Sequence, residues 1–75
     1  MPKNLTCLSE GETAQVCALH HPSAMKRRLQ DLGLVEGTQV ACVQKSPHGD
    51  PIAYHIRGAI IALRYEDAAM VAIRE

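Results

Sequence analysis

The sequence predicts a mainly β fold: a small barrel of five or six short strands with one short inserted α-helix. Three observations point there. Ile52, Tyr54 and Ile56 alternate with Ala53, His55 and Arg57, the period-two signal of a strand with one buried face. Only one stretch, from Ser23 to Gly33, carries apolar residues at clear helical spacing. Elsewhere glycine and proline recur so closely that only short strands and tight turns fit between them.

Taken in order, residues 5–8 are expected to form a short edge strand, and Ser9-Glu10-Gly11-Glu12 a turn. A strand follows from Thr13 to Leu19. Its alternation is imperfect, because Ala14, Val16 and Ala18 oppose Gln15, Cys17 and Leu19; either face can be the buried one, and Val16 is expected inward. The helix comes next, with Pro22 just ahead of it, Ser23 as its N-cap, and Met25, Leu29 and Leu32 as an apolar stripe at i, i+4 and i+7. Gly33 is its C′ stop, and Leu34 is placed to contact Leu29 as in a Schellman ending. About ten residues are too few for a helix to persist alone, so it must pack on the strands.

Leu34-Val35-Glu36-Gly37 then echoes Leu8-Ser9-Glu10-Gly11 and leads into a strand from Gln39 to Lys45. Four residues are too few for a repeat; the echo indicates one turn chemistry used twice. Ser46-Pro47-His48-Gly49-Asp50-Pro51 reads as a shaped loop, since Pro47 and Pro51 fix φ, Gly49 admits a positive φ and Asp50 can bond back to nearby amides. After the 52–56 strand, Gly58 turns the chain into Ala59-Ile60-Ile61-Ala62-Leu63, making a hairpin expected at the centre of the fold. Residues 64–69 suit a single helical turn. Residues 70–74 resume strand character and are expected to pair with the first strand and close the barrel.

Seventy-five residues make a single domain, and 47% of them are apolar, enough for a core. With no Trp or Phe and only Tyr54 and Tyr65 as aromatics, that core must be aliphatic. Eight basic and eight acidic residues cancel, which argues against a general nucleic-acid binder. Cys7, Cys17 and Cys42 form an odd set without CxxC spacing, so neither a disulfide framework nor a zinc knuckle is indicated and a reducing cytoplasm fits best. The start, Met1-Pro2-Lys3-Asn4-Leu5, has no apolar leader segment, and no run approaches the roughly 18 apolar residues of a membrane span.

At this point the residues are specific enough to carry a resemblance. Leu8-Ser9-Glu10-Gly11-Glu12, Arg27-Arg28-Leu29-Gln30-Asp31-Leu32-Gly33-Leu34, Gly37-Thr38, the 46–51 loop, and Ile56-Arg57-Gly58 with Ala62-Leu63-Arg64 closely resemble the FeoA family, over nearly the whole chain. That resemblance implies an SH3-like barrel with a helical insertion, in a small cytoplasmic accessory protein of bacterial ferrous iron uptake. It also implies assistance to the membrane transporter of that system, whose cytoplasmic part is a GTPase. A related barrel forms the C-terminal domain of iron-dependent repressors, but this chain has no helix-turn-helix segment and resembles the free-standing form.

Candidate partner-binding residues are Lys26, Arg27, Arg28 and Asp31 on the helix, His48 and Asp50 in the rigid loop, and Arg57 before Gly58. Each has a structural alternative. The cationic cluster can be a solvated face, Arg28 and Asp31 can pair with each other, Asp50 can be a turn cap, and Arg57 can pair with Asp50 or Asp67 inside the fold. Gly11, Gly33, Gly37, Gly49, Pro51 and Gly58 are assigned to turns. His20, His21, His48, His55 and the cysteines are the available transition-metal donors, but no pair has the i, i+4 spacing of a helical site, so weak metal binding is expected rather than a required cofactor. Nothing resembles a triad or a P-loop, so no enzyme is expected. Three functions follow: docking to the transporter's cytoplasmic region, a ferrous-ion sensor, and a GTPase regulator that supplies Arg27 or Arg28 to a nucleotide site. Direct membrane insertion is not expected, and the chain should be a monomer or weak homodimer.

Overall fold

The computed structural model describes residues 3–74. Met1 and Pro2, part of the stretch read for a leader, lie outside them. Six strands, β1 (Lys3–Asn4), β2 (Thr13–Leu19), β3 (Gln39–Lys45), β4 (Ile52–Ile56), β5 (Ala59–Leu63) and β6 (Val71–Arg74), form one sheet in the order β1-β6-β2-β3-β4-β5. Every neighbouring pair is antiparallel. Helix α1 (Ser23–Asp31) sits between β2 and β3, and a one-turn helix α2 (Tyr65–Ala68) joins β5 to β6.

The inward faces follow the sequence pattern where it is clean and a bulge where it is not. Ile52, Tyr54 and Ile56 of β4 are all buried. In β2, Val16 pairs with Ile73 but Ala18 with Ala72, so Cys17 is an extra residue. That bulge resets the alternation, and Ala14, Val16 and Leu19 all point inward despite their mixed parity. A second register shift, between Cys42 and Gln44, leaves Val43 exposed on β3.

The turn chemistry repeats as expected. Gly11 and Gly37 both have φ near +90°, at +90° and +88°, and each donates its amide to a carbonyl of the neighbouring strand: Gly11 to Cys42 at 2.7 Å, Gly37 to Val16 at 2.8 Å. Glu12 Oε1 accepts from the Ser9 amide at 2.6 Å, and Glu10 Oε2 reaches the Lys45 amide at 2.8 Å, pinning the first turn to the far end of β3.

Four expectations are corrected. Residues 5–8 are not a strand: Leu5–Cys7 is a 3₁₀ turn, because Asn4 Oδ1 accepts from the Thr6 amide (2.9 Å) and the turn drives Leu5 and Leu8, three apart, into the core. The final strand therefore pairs with β1 at Lys3 and Asn4, and with β2, rather than with 5–8. The β4–β5 hairpin is not central, since β5 is an edge and the ladder does not continue from β5 to β1; the 3₁₀ turn is tied to β4 instead, its Leu5 carbonyl accepting from Tyr54 Oη at 3.1 Å. Ser23 is the first residue of α1 and not its cap, because Pro22 holds extended backbone at the cap position and its carbonyl takes the Lys26 amide at 2.8 Å.

At the other end of α1 the expected ending forms in full. The Leu34 amide donates to the Leu29 carbonyl and the Gly33 amide to the Gln30 carbonyl, both at 3.0 Å, with Gly33 at φ +111°. Leu29 and Leu34 are buried and Met25 packs against the core, but Leu32, the third residue of the expected stripe, is 43% exposed.

Candidate functional site

Helix α1 lies alongside the free edge of β5 and leaves an open groove. Met25, Arg28, Leu29 and Leu32 line one wall; Ile61, Ala62, Leu63 and Arg64 line the other, and Glu66 and Asp67 of α2 lie at its rim. Leu32 is exposed because its part of the helix overhangs this groove instead of the barrel interior. Arg28 sits on the same wall, a cation beside exposed apolar surface, facing Glu66 and Asp67 across the gap.

A second hollow adjoins the first through Ala62, Arg64 and Glu66, and adds Asp50, Pro51 and Tyr65. Asp50 is fixed there. Its Oδ1 accepts from the Tyr65 amide at 3.0 Å, so the carboxylate caps α2 from across the chain. The 46–51 loop is held closed separately: the Gly49 amide donates to the Ser46 carbonyl and Ser46 Oγ to the Pro51 carbonyl, both at 2.7 Å. His48 is exposed at the tip of that loop.

The structure thus gathers Arg28 and Asp50 onto one continuous surface and separates the other candidates from it. Lys26 and Arg27 border a shallow concavity on a different face of α1, with Ser23, Ala24 and Gln30. Asp31 is exposed near the helix end, and among the described residues it forms no ion pair with Arg28. Arg57 does not pair with Asp50 or Asp67. It occupies the β4–β5 turn at φ +49°, and its aliphatic stem lies over Gly33, where a Cβ would come within 2.8 Å of Arg57 Cδ. Leu32, Arg64, Tyr65 and Glu66 belong to the surface but were not singled out in the sequence. The available signal was Leu32 falling just before the helix-stopping glycine, where a stripe residue can run past the core.

The possible metal donors are scattered. His20, His48 and His55 are exposed, and Cys7, Cys17 and Cys42 are free and respectively exposed, intermediate and buried. His21 is buried, with Nε2 2.8 Å from the Asp67 carbonyl; the carbonyl can only accept, so Nε2 carries the proton. Among the described residues no three His, Cys, Asp or Glu side chains converge to hold a metal ion. This donor set does not fit a resident metal centre.

The chain is thus a small antiparallel β fold with one inserted helix and an open groove of mixed apolar and charged lining. Residues 3–75 match the FeoA domain model, and the chain belongs to that family. It is 30% identical over 69 residues to an Fe(2+) transport protein A/Fe(2+) transporter FeoB fusion protein of Porphyromonas gingivalis, a match covering 92% of this chain and 8% of that protein's length. The solution structure of the FeoA protein from Chlorobium tepidum superposes with a TM-score of 0.90 at 32% identity, over 95% of this chain and 68% of the other. The zinc-complexed FeoA of Stenotrophomonas maltophilia, described as an SH3 domain protein, superposes with a TM-score of 0.84 at 32% identity, over 96% and 89% of the two chains. The fold is therefore the SH3-like barrel with a helical insertion. No helix among the described residues is long and apolar enough to cross a membrane.

Proposed function

We propose that this chain is a cytoplasmic accessory module of ferrous iron uptake that docks onto the cytoplasmic region of the ferrous iron transporter and modulates the transporter. The observation that carries this reading is the α1–β5 groove, where Leu32 stays exposed beside Arg28 and opposite Glu66 and Asp67. Exposed apolar area rimmed by both signs of charge suits a protein partner, with the charges setting orientation and the leucine contributing affinity. The fused relative supports the choice of partner: there a domain similar to this chain shares one polypeptide with the transporter, which raises its local concentration. Docking through this surface requires no metal, and Arg27 lies on another face of the helix.

An anaerobic NMR titration of labelled protein with the transporter's soluble cytoplasmic region tests this. Shifts should cluster at Arg28, Leu32 and residues 61–66, with or without ferrous ion. Leu32→Glu should weaken binding by about tenfold or more, while Lys26→Glu should change it little. If no shifts appear with the partner yet the histidines respond saturably to ferrous ion, docking to that region is wrong and metal sensing takes its place.

A further inference from the structure

Helix α2 carries Glu66 and Asp67, the rim of the groove, yet a single turn is far below the length at which a helix persists alone. Ala68 is its one buried residue, and a methyl group anchors little. Its cap position is Arg64, whose side chain has no acceptor and makes no cap bond. Two side chains from distant segments supply what the turn lacks, one at each end. At the start, Asp50 Oδ1 accepts from the Tyr65 amide at 3.0 Å, across 15 residues of chain. At the end, His21 Nε2–H donates to the Asp67 carbonyl at 2.8 Å, across 46 residues. An acceptor thus meets the amide end and a donor the carbonyl end, the polarity a helix asks of its caps.

Stability alone calls for neither contact. The Asp67 carbonyl already accepts from the Met70 amide at 3.2 Å, so it needs no second donor. His21 is the one polar residue buried among those described, at 7% exposed, and its Nδ1 is enclosed with no hydrogen-bond partner there. A leucine would fill the same position and leave no orphaned nitrogen. Asp50, for its part, is not needed to close its own loop, which the bonds among Ser46, Gly49 and Pro51 already close. What the two side chains share is α2, which they fix between the 46–51 loop and the segment entering α1.

We propose that His21 and Asp50 are positioning residues of the docking surface, clasping α2 at its two ends and so setting Glu66 and Asp67 across the groove from Arg28 and Leu32. The role of the clasp in binding rests on the docking reading above. Neither residue touches the partner in this role. Asp50 works as an acceptor and not through its charge, and His21 works as a donor to its own fold and not as a metal ligand.

Amide hydrogen exchange on the whole chain, without partner, reads the clasp. His21→Leu and Asp50→Ala should each speed exchange of the Ala68, Ala69 and Met70 amides, which bond within and just after α2, by about tenfold or more. The Val16 and Cys42 amides, bonded across the sheet, should keep their native rates. His21→Gln returns an N–H near the place of Nε2, and Asp50→Asn returns the acceptor without the charge, so both should restore slow exchange. Binding to the transporter's cytoplasmic region should follow the same order, about tenfold weaker for His21→Leu and Asp50→Ala and near native for the other two. Native exchange rates at α2 in both His21→Leu and Asp50→Ala overturn the clasp. Exchange that quickens equally at Val16 and Cys42 also overturns it, because the two residues would then serve global stability. So does an Asp50→Asn chain that binds as weakly as Asp50→Ala while α2 stays protected, since the carboxylate would then touch the partner itself. If the native chain does not bind that region, the docking reading fails, and exchange in the expected order still supports the clasp.

Discussion

The phenol of Tyr54 lies fully buried and donates to the Leu5 carbonyl, joining β4 to the 3₁₀ turn at 5–7. Burial pushes this phenol well above its ordinary value of 10.0, and the neighbouring Cys42, opposite it in the β3–β4 pairing, is also raised by burial from 9.0. Both groups are held neutral by the fold. As pH rises past 9 and then 10, the unfolded chain releases these protons while the folded chain retains them. The unfolded state then binds fewer protons, and stability falls, most steeply above pH 10, where Tyr54 contributes up to about 1.4 kcal/mol per pH unit. Below pH 9 this contribution is constant. Urea denaturation from pH 8 to 11 should show the decline, and Tyr54→Phe should make it shallower above pH 10. The same variant should lose about 1 kcal/mol at pH 7, because the Leu5 carbonyl loses its phenol donor and keeps only the Leu8 amide, at 3.1 Å.

Helix α1 is too short to hold itself and is stabilised by one buried residue and a specified stop. Leu29 is 3% exposed and Leu32 43%, although both lie on the same predicted stripe. Leu29→Ala should therefore cost about 2 to 4 kcal/mol and Leu32→Ala less than about 0.5 kcal/mol, a contrast that thermal denaturation reads directly. The stop has its own test. Gly33→Ala forces a side chain into φ +111° and against the stem of Arg57, with Ile56 Cγ2 at 3.3 Å behind it. The expected loss is about 1 to 2 kcal/mol, mostly from the backbone, since the flexible arginine stem can shift while the left-handed φ remains. Arg57→Ala in the Gly33→Ala background should recover only a small part of that loss. Full recovery would place the cost in the contact instead of the backbone.

At the scale of the molecule, the N-terminal segment completes the core even though it contributes only two strand residues. Leu5 and Leu8 are 0% and 2% exposed, and β1 pairs with β6 at Lys3 and Asn4. Each buried leucine is worth about 2 to 5 kcal/mol, against a total stability of about 5 to 15 kcal/mol for an ordinary domain and toward the low end for one this small. A chain lacking residues 1–8 should therefore lose cooperative unfolding in calorimetry and collapse its amide NMR dispersion. One that retained both would show that the sheet alone closes the core.

Much of the fold was legible because the local signals were strong and agreed with one another. The boundaries of β2 and β3, the burial of Ile52, Tyr54 and Ile56, the paired turns at Gly11 and Gly37 and the ending of α1 at Gly33 and Leu34 each follow from spacing and backbone chemistry within a few residues. The order of the turn and cap motifs likewise carried the family. What the sequence could not decide depends on contacts between distant segments. The bulge at Cys17 forms because Val16 and Leu19 must both meet the core, and the 3₁₀ turn at 5–7 because Leu5 and Leu8 must both reach it. Arg28 and Asp50 came onto one continuous surface, in adjoining hollows, while Lys26 and Arg27 did not, since the packing of α1 beside β5 selects which helix face looks across the gap. The sequence by itself determined the elements and their turns, because those energies are local. Only the tertiary structure decided which strand became the edge and which charges share a surface, because those depend on how residues far apart in the chain meet.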